Sequence, residues 1–334
     1  MTTTPPPGDP AARPPGAPGP DAAPHGASPA PHGALPASRD AVPAPQDAPP
    51  APHDALPAPQ DALPGPHDAL SPGAVPVLAA REVGFAYRGG PAVLEEVSVA
   101  VTAGRSLALV GESGAGKTTL LRLLLGLARP TSGQVLFDGA ELAPRDPAFL
   151  RAVQPVFQDP YSSLDPRQRV GRIVSEPLRS MGLLAPGSRA AKRAEAAERV
   201  AEALDSVGLP ADAARRYPHE FSGGQRQRIA IARAIVCRPR VLLADEPVSA
   251  LDVSTRVRVV ELLGTLGASH GLTVVVVSHD LSVVAALCAE TAVIEHGRVV
   301  EQGRTADVLG SPAHPYTRRL IESVPRLSRA ARLR

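Results

Sequence analysis

The chain has 334 residues, with 35 Lys and Arg against 33 Asp and Glu for a formal net charge of +2, and is long enough for one large domain or two small ones. Its two cysteines, Cys237 and Cys288, lie far apart in sequence, which disfavours a disulfide scaffold and favours two small buried side chains in a reduced compartment. We expect no signal peptide, and no apolar stretch approaches the ~20 residues that span a bilayer, so any action at a membrane would require docking to a partner.

Residues 1–76 differ in composition from the remainder of the chain. They contain 23 of the 39 prolines, and seven aspartates against two arginines give them a net charge of −5. The unit Pro-(Ala/Gly)-Pro-(Gln/His)-Asp-Ala-(Leu/Pro) occurs four times from Pro43 to Leu70, and two prolines per unit exclude a helical heptad. This composition predicts a disordered, extended arm. A recruitment or metal-binding role for His53 and His67 is the alternative.

From about Val77 the pattern changes to strands that alternate with helices. The predicted strands are residues 78–87, 97–101, 106–110, 132–138, 241–244 and 273–277, and the predicted helices are residues 117–128 and 189–204. The unbroken apolar runs at 241–244 and 273–277 are typical of central parallel strands that are covered on both faces. His296-Gly297 predicts a hairpin turn between two further strands. Such alternation implies a parallel sheet that binds ligands at the carboxyl ends of its strands.

A glycine-rich loop follows the predicted strand at 106–110. Its sequence is Gly111-Glu112-Ser113-Gly114-Ala115-Gly116-Lys117-Thr118, which matches the phosphate-binding pattern G-x-x-x-x-G-K-[ST]. The glycines let backbone amides surround phosphate oxygens, and the helix that follows adds its positive end. We expect Lys117 to bridge the β- and γ-phosphates of ATP, the Thr118 hydroxyl to ligate Mg²⁺, and Thr119 to complete the nucleotide-binding set.

Two acids end the predicted strand at 241–244. Asp245 is expected to hold the coordination shell of Mg²⁺, and Glu246 is expected to polarise the attacking water. Adjacent strand residues face opposite ways, so two successive carboxylates take two roles.

The segment upstream of Asp245 carries a family resemblance. Phe221-Ser222-Gly223-Gly224-Gln225-Arg226-Gln227-Arg228 resembles the signature sequence of the ABC ATPases, a family that often has leucine where this chain has Phe221. The resemblance covers about residues 77–320. It implies that a serine hydroxyl and glycine amides at a helix start form an anion site. In this family, that site is completed by a second cassette, so Ser222, Gly223, Gly224 and Gln225 would face the γ-phosphate that the partner cassette holds.

Four other positions match family motifs, and their roles follow from the resemblance. Tyr87 lies where the family has an aromatic residue that stacks on adenine. Gln158 matches the loop that senses Mg²⁺ and the permease, and it joins Thr118 and Asp245 as an expected Mg²⁺ ligand. Ser249-Ala-Leu-Asp252 matches the D-loop. His279 matches the switch histidine at the γ-phosphate and, with Glu246, forms the expected catalytic pair.

Two segments narrow the resemblance to one subfamily. Residues 158–167 and 314–325 resemble segments of the ATPases of peptide and nickel importers. The expected partners are therefore integral membrane permease subunits, a solute-binding protein that acts indirectly, and a second ABC ATPase subunit. That subunit is expected to be a distinct, related cassette, with a second copy of this chain as the alternative. The location implied is the cytoplasmic face of the membrane, without nucleic acid. No cysteine follows Cys288, so an iron–sulfur centre is not supported.

The predicted fold class is α/β: a P-loop NTPase core with a parallel sheet, an antiparallel β subdomain and an inserted α-helical subdomain at about 160–237. The predicted division is a disordered arm at 1–76, an ABC ATPase domain at 77–310 and a C-terminal extension at 311–334. An exporter cassette is one alternative function. A second, an ABC ATPase that acts on nucleic acid or ribosomes, is disfavoured by the single cassette, by the absence of zinc-type cysteine pairs and by the 105 positions from Lys117 to Ser222, too few for a long coiled coil.

Overall fold

A computed structural model describes residues 75–159 and 163–323 of the chain. The predicted proline-rich arm, including His53 and His67, lies outside the described residues except for its last two positions. Residues 160–162 and the tail from residue 324 also lie outside them. The disorder of the arm and the two predicted domain boundaries therefore stay predictions.

The first sheet is antiparallel and has four strands in the order β2-β1-β4-β5. Its strands are β1 (Leu78–Ala86), β2 (Ala92–Val101), β4 (Ser132–Phe137) and β5 (Ala140–Glu141). Strand β2 begins five residues before the predicted residue 97, because Phe85 and Ala86 of β1 still pair with Leu94 and Ala92 despite three irregularities of register. The sheet is the predicted antiparallel β subdomain.

The second sheet has six strands in the order β10-β9-β3-β8-β7-β6. Its strands are β3 (Leu107–Val110), β6 (Val153–Val156), β7 (Val241–Asp245), β8 (Thr273–Val277), β9 (Glu290–Glu295) and β10 (Arg298–Arg304). Five of them run parallel, and β10 returns antiparallel to β9. The predicted central parallel strands are confirmed, and every residue of β8 is buried, as expected for a strand covered on both faces.

The two faces of the six-stranded sheet serve different cores. Leu107 and Leu109 pack with the antiparallel sheet and helix α1 (Lys117–Leu124). Ala108 and Val110 point the other way, into the core that is formed with the helices. This alternation follows from the two-residue period of a strand, and it leaves the carboxyl ends of the strands free to carry polar side chains.

The remaining helices follow the order of the chain. They are α2 (Pro147–Ala152), α3 (Val170–Val174), α4 (Glu176–Ser180), α5 (Arg189–Ser206), α6 (Gly223–Ile235), α7 (Val253–His270), α8 (Leu281–Leu287), α9 (Thr305–Gly310) and α10 (Pro315–Glu322). Between Val170 and Ile235 the chain forms only α-helices and two short 3₁₀ turns, which is the predicted inserted helical subdomain. Within the described part of the chain, no helix is both long and apolar enough to cross a membrane.

Helix α1 ends four residues before the predicted residue 128. Two closing hydrogen bonds stop it, from the Gly126 amide to the Leu123 carbonyl and from the Leu127 amide to the Arg122 carbonyl, both at 2.9 Å. This pairing satisfies the last carbonyls of the helix and turns the chain away. The apolar run Leu123–Leu125 continues into the turn, so the sequence pattern does not indicate where the helix ends.

Both cysteines are buried and free, as the sequence predicted. Burial raises the pKa of the Cys237 thiol to about 11 and that of the Cys288 thiol to about 12. At neutral pH both therefore act as small apolar side chains rather than as nucleophiles.

The hairpin turn that connects β9 to β10 lies against the antiparallel sheet. Gly297 has a φ of +76°, and a Cβ at this position would lie 2.3 Å from the Val93 carbonyl oxygen. Its carbonyl accepts a hydrogen bond from the Glu95 amide at 2.8 Å, and its own amide donates to Ala115 at 3.1 Å. The two sheets therefore meet with backbone against backbone.

The substitution Gly297→Ala should destabilise the fold by about 1–3 kcal/mol. Alanine is strained at the positive φ of this position, and its Cβ would clash with the Val93 carbonyl. Gly310→Ala is the matched control, since nothing lies within 4 Å of a Cβ at the end of α9, and it should leave stability equal or raise it. The midpoint of urea unfolding measures both changes in the free energy of unfolding, provided that the m-value is the same in each protein. Equal midpoints for the two variants would refute the close contact.

Candidate functional site

The phosphate loop connects β3 to α1 at the point where both sheets meet. A Cβ at Gly111 would lie 2.2 Å from the Ile294 carbonyl oxygen, and one at Gly116 would lie 2.6 Å from Cδ2 of Leu94. Gly116 is also the N-cap of α1, with a φ of 103° that glycine adopts without strain. Ala115, Gly116 and Lys117 are buried, whereas residues 112–114 and Thr118 are exposed. The loop thus has a packed inner side and an open outer rim.

Lys117 lies against the backbone of this loop. Its side chain is buried, and Nζ donates hydrogen bonds to the carbonyls of Gly111 and Glu112, both at 2.7 Å. Burial lowers the pKa of Lys117, and the carboxylates of Glu246 and Asp245 oppose that shift. One cation is therefore held in place between the loop and two acids.

Thr118 and Asp245 bring two oxygen donors together. The Thr118 hydroxyl donates to Oδ1 of Asp245 at 3.2 Å, across the gap between α1 and the end of β7. Burial raises the pKa of Asp245, and the hydrogen bond from Thr118 opposes the shift. A hydroxyl beside a carboxylate suits Mg²⁺, a hard cation that keeps several waters and binds few protein ligands. Within the described ranges, no group of three or more His, Cys, Asp or Glu side chains is placed to hold a metal ion.

Glu246 is the centre of a second group at the same edge of the sheet. Its φ of +43° turns the chain directly after β7, and its amide donates to the Val277 carbonyl at 3.0 Å. One carboxylate oxygen lies 3.0 Å from Nδ1 of His279, and the other accepts from Nε2 of Gln158 at 3.2 Å. Two of the expected catalytic and sensing residues thus converge on one carboxylate.

Gln158 has a second contact, with the Ser249 hydroxyl at 3.4 Å. Its amide therefore lies on the Glu246 side of the site, between Glu246 and the start of the predicted D-loop. Its expected role as a ligand of Mg²⁺ beside Thr118 and Asp245 stays a prediction.

Tyr87 and Thr119 lie near each other on the other side of the phosphate loop. The Tyr87 hydroxyl is 3.4 Å from the Thr119 hydroxyl and accepts from Nη1 of Arg122 at 3.5 Å. The Tyr87 side chain is 48 % exposed, and its ring meets that of Phe85 edge to face at 4.9 Å. An exposed aromatic face beside α1 is available for stacking.

The signature segment begins helix α6 with a reciprocal cap. The Ser222 hydroxyl accepts from the Gln225 amide at 3.3 Å, and the Gln225 side chain accepts from the Ser222 amide at 3.0 Å. A Cβ at Gly224 would lie 2.0 Å from Cγ2 of Thr255, so helix α7 packs closely here. Ser222 and Gln225 remain exposed at the helix start, where backbone amides favour anions.

Two residues of the site were missed by the sequence analysis. Arg256 of α7 donates to Oδ2 of Asp280 at 2.8 Å and to the Leu251 carbonyl at 3.4 Å, which joins the D-loop to the residue after His279. Tyr316 of α10 accepts a hydrogen bond from the Glu112 amide at 2.8 Å. An arginine on a helix surface has no distinguishing pattern, and Tyr316 was recognised only as part of a tail motif.

Two family models match the chain. The model described as ABC transporter matches residues 94–249, and that described as the C-terminal region of oligopeptide/dipeptide transporters matches residues 300–334. Among curated proteins, a Brucella ovis protein named for peptide import and ATP binding is 44% identical over 257 residues, which is 75% of this chain and 79% of that protein. A Brucella abortus protein with the same kind of name is 45% identical over 258 residues, 75% of each chain.

The solved structures that resemble this chain are also ATP-binding cassettes or parts of ABC transporters. The chain is similar to cbiO1 from Clostridium perfringens, described as part of the ABC transporter complex cbiONQ, with a TM-score of 0.63, 28% identity, and coverage of 70% of this chain and 91% of that one. It is also similar to the ATP-binding cassette MJ0796, solved as a dimer in a post-hydrolysis state bound to ADP and Pi. The TM-score is 0.58 and the identity 29%, with coverage of 68% of this chain and 98% of that one.

The substitution Lys117→Ala should weaken nucleotide binding by about ten- to a hundredfold, the range for loss of a hydrogen bond to a charged group. Lys192→Ala is the matched control, because Lys192 is the only other lysine and is exposed on α5. Titration of a fluorescent ATP analogue into both proteins measures the difference. Equal affinities would show that the loop lysine does not contact the nucleotide.

Proposed function

We propose that this chain, which belongs to the ABC transporter family and is an ATPase, powers a peptide importer by closing on a partner cassette around ATP. The observation that carries the proposal is the convergence of Lys117, Thr118, Asp245, Glu246 and His279 at one edge of the parallel sheet.

Nucleotide binding falls to the phosphate loop and to Tyr87. The amides of Ser113 and Gly114 in the exposed rim, with the amino end of α1, offer donors to phosphate oxygens, while the Glu112 amide is bonded to Tyr316. Lys117, held beneath that rim by two carbonyls, lies where it can neutralise the terminal phosphates. The adenine would stack on the exposed ring of Tyr87, beside Thr119.

Thr118 and Asp245 would hold Mg²⁺, with Gln158 as the third proposed ligand. The bound ion would neutralise phosphate charge as the terminal bond breaks. The 3.2 Å contact between the Thr118 hydroxyl and the Asp245 carboxylate supports this pairing.

Hydrolysis requires a base near the terminal phosphate. Glu246 accepts the proton of the attacking water, and His279 holds one oxygen of that carboxylate at 3.0 Å. Gln158 holds the other oxygen at 3.2 Å, so the orientation of the base depends on the loop that carries Gln158. Communication between that loop and hydrolysis would follow directly from this contact.

The exposed signature segment supports a site that is shared by two chains. Ser222 and the amides of Gly223, Gly224 and Gln225 would bind the γ-phosphate that a partner cassette holds. The dimeric form of MJ0796 with ADP and Pi is consistent with such an arrangement. We favour a distinct, related cassette as the partner, and a second copy of this chain is the alternative outcome of the test below.

Transport requires subunits that this chain does not supply, namely integral membrane permeases and, indirectly, a solute-binding protein. We propose that the chain docks to the permease at the cytoplasmic face of the membrane. The peptide assignment is supported by the names of the Brucella relatives and by the match of residues 300–334 to the oligopeptide/dipeptide transporter region.

The substitution Glu246→Gln should abolish hydrolysis while ATP binding is retained, because it keeps the shape of the side chain and removes the base. General-base loss typically lowers the rate by about 10²- to 10⁴-fold. Phosphate release by the purified cassette, alone and with its partner, measures the effect, and Glu261→Gln on the exposed side of α7 is the matched control. Near-normal turnover in the Glu246→Gln protein would refute the base assignment.

The same variant tests the cargo in cells. In a strain deleted for this chain, the wild-type protein should restore uptake of a labelled dipeptide, and the Glu246→Gln protein should not. Restored uptake of nickel without restored uptake of peptide would assign the other cargo.

The substitution Ser222→Arg should block ATP-dependent association and hydrolysis while nucleotide binding to the single chain is unchanged. Arginine fills the space into which the partner's phosphate must enter and cannot reproduce the short hydroxyl contact. Light scattering of the Glu246→Gln protein with and without ATP gives the reference, and Ser269→Arg at the far end of α7 is the matched control. ATP-dependent dimers of the Glu246→Gln chain alone would assign a homodimer. Full activity of Ser222→Arg would remove the signature from the mechanism.

A further inference from the structure

Helix α10, the last helix in the described part of the chain, contacts the phosphate loop through the Tyr316 hydroxyl. The Glu112 amide, at the second position of the loop, donates a hydrogen bond to Oη of Tyr316 at 2.8 Å. The Tyr316 side chain is only 4 % exposed. Phenylalanine at this position would offer the Glu112 amide no acceptor.

Helix α10 is fixed in position from its amino end. Both oxygens of the Glu301 carboxylate on β10 accept backbone amides of the approach to the helix, from Ala313 at 2.8 Å and from His314 at 3.0 Å. The His314 ring caps the helix by accepting from the Tyr316 amide at 3.3 Å. These hydrogen bonds hold the start of α10 in place and thereby restrict the orientation of the Tyr316 ring.

Strand register explains why this ring reaches the loop. Tyr316 packs in a small core with Val293 of β9 and Val308 of α9. Val293 pairs with Val110, the last residue of β3, and Glu112 lies two positions further along the chain. The ring therefore lies beside the strand whose end becomes the phosphate loop.

We propose that Tyr316 is a positioning residue that holds the first turn of the phosphate loop in its nucleotide-binding shape, an inference that rests on the proposed nucleotide site. The C-terminal helix and the nucleotide are then energetically coupled. By linkage, a nucleotide that binds better when α10 is docked must in turn hold α10 more firmly.

The substitution Tyr316→Phe keeps the ring in its core and removes only the acceptor. The KM for ATP should rise about five- to tenfold, the size expected for one lost hydrogen bond to a backbone amide, while kcat changes less than about twofold. Glu322→Gln, exposed at the far end of the same helix, should leave both constants unchanged. An unchanged KM in Tyr316→Phe would overturn the proposal, as would an equal rise in both variants.

Amide hydrogen exchange of the full chain gives a second, independent reading. Saturating ADP should slow exchange within Pro315–Glu322 of the wild-type protein, and Tyr316→Phe should lose most of that slowing. If the exchange rate of α10 did not depend on ADP, the proposed coupling would be wrong and Tyr316 would serve only in packing. If Tyr316→Phe failed to fold, the effect of ADP on hydrogen exchange in α10 of the wild-type protein would by itself test the coupling. Failure of the wild-type chain to bind ADP would instead refute the proposed nucleotide site.

Discussion

Close packing of backbone against backbone fixes the phosphate loop where the two sheets meet. Gly111 lies against the Ile294 carbonyl of β9, and Gly116 lies against the Val93 carbonyl of β2. The turn at Gly297 closes the same junction by donating its amide to Ala115. A loop held from both sides can present amides to an anion without first being ordered, which lowers the entropic cost of binding.

From that junction the strand order determines where the acids lie. Strands β3, β8 and β7 are neighbours and run parallel, so their carboxyl ends reach one edge of the sheet. Each end delivers a different group: Lys117 after β3, His279 after β8, and the pair Asp245 and Glu246 at β7. The left-handed turn at Glu246 then separates the two carboxylates, one toward Thr118 and the other toward His279 and Gln158. The fold itself therefore separates the proposed metal-binding carboxylate from the proposed base.

Much of this arrangement could be read from the sequence, because its signals are local. The loop motif, the acids after residues 241–244 and the signature segment that begins at Phe221 are encoded in neighbouring residues. The early end of α1 was not predictable, since apolar residues continue past Leu124 while hydrogen bonds stop the helix. The contacts of Arg256 with Asp280 and of Tyr316 with Glu112 join residues that are far apart in sequence or that carry no pattern of their own. Only the packing of whole elements brings these groups together.

The two buried thiols have a practical consequence for spectroscopy. Burial raises the pKa of these thiols to about 11 and about 12, so few molecules carry a thiolate at pH 7, and thiolate is the form that maleimides attack. Because the chain has no other cysteine, the native sequence is already a silent background for site-specific labelling. A single cysteine introduced on an exposed face would carry the only reporter, so distances between two associating cassettes could be followed through a transport cycle without removing either native residue.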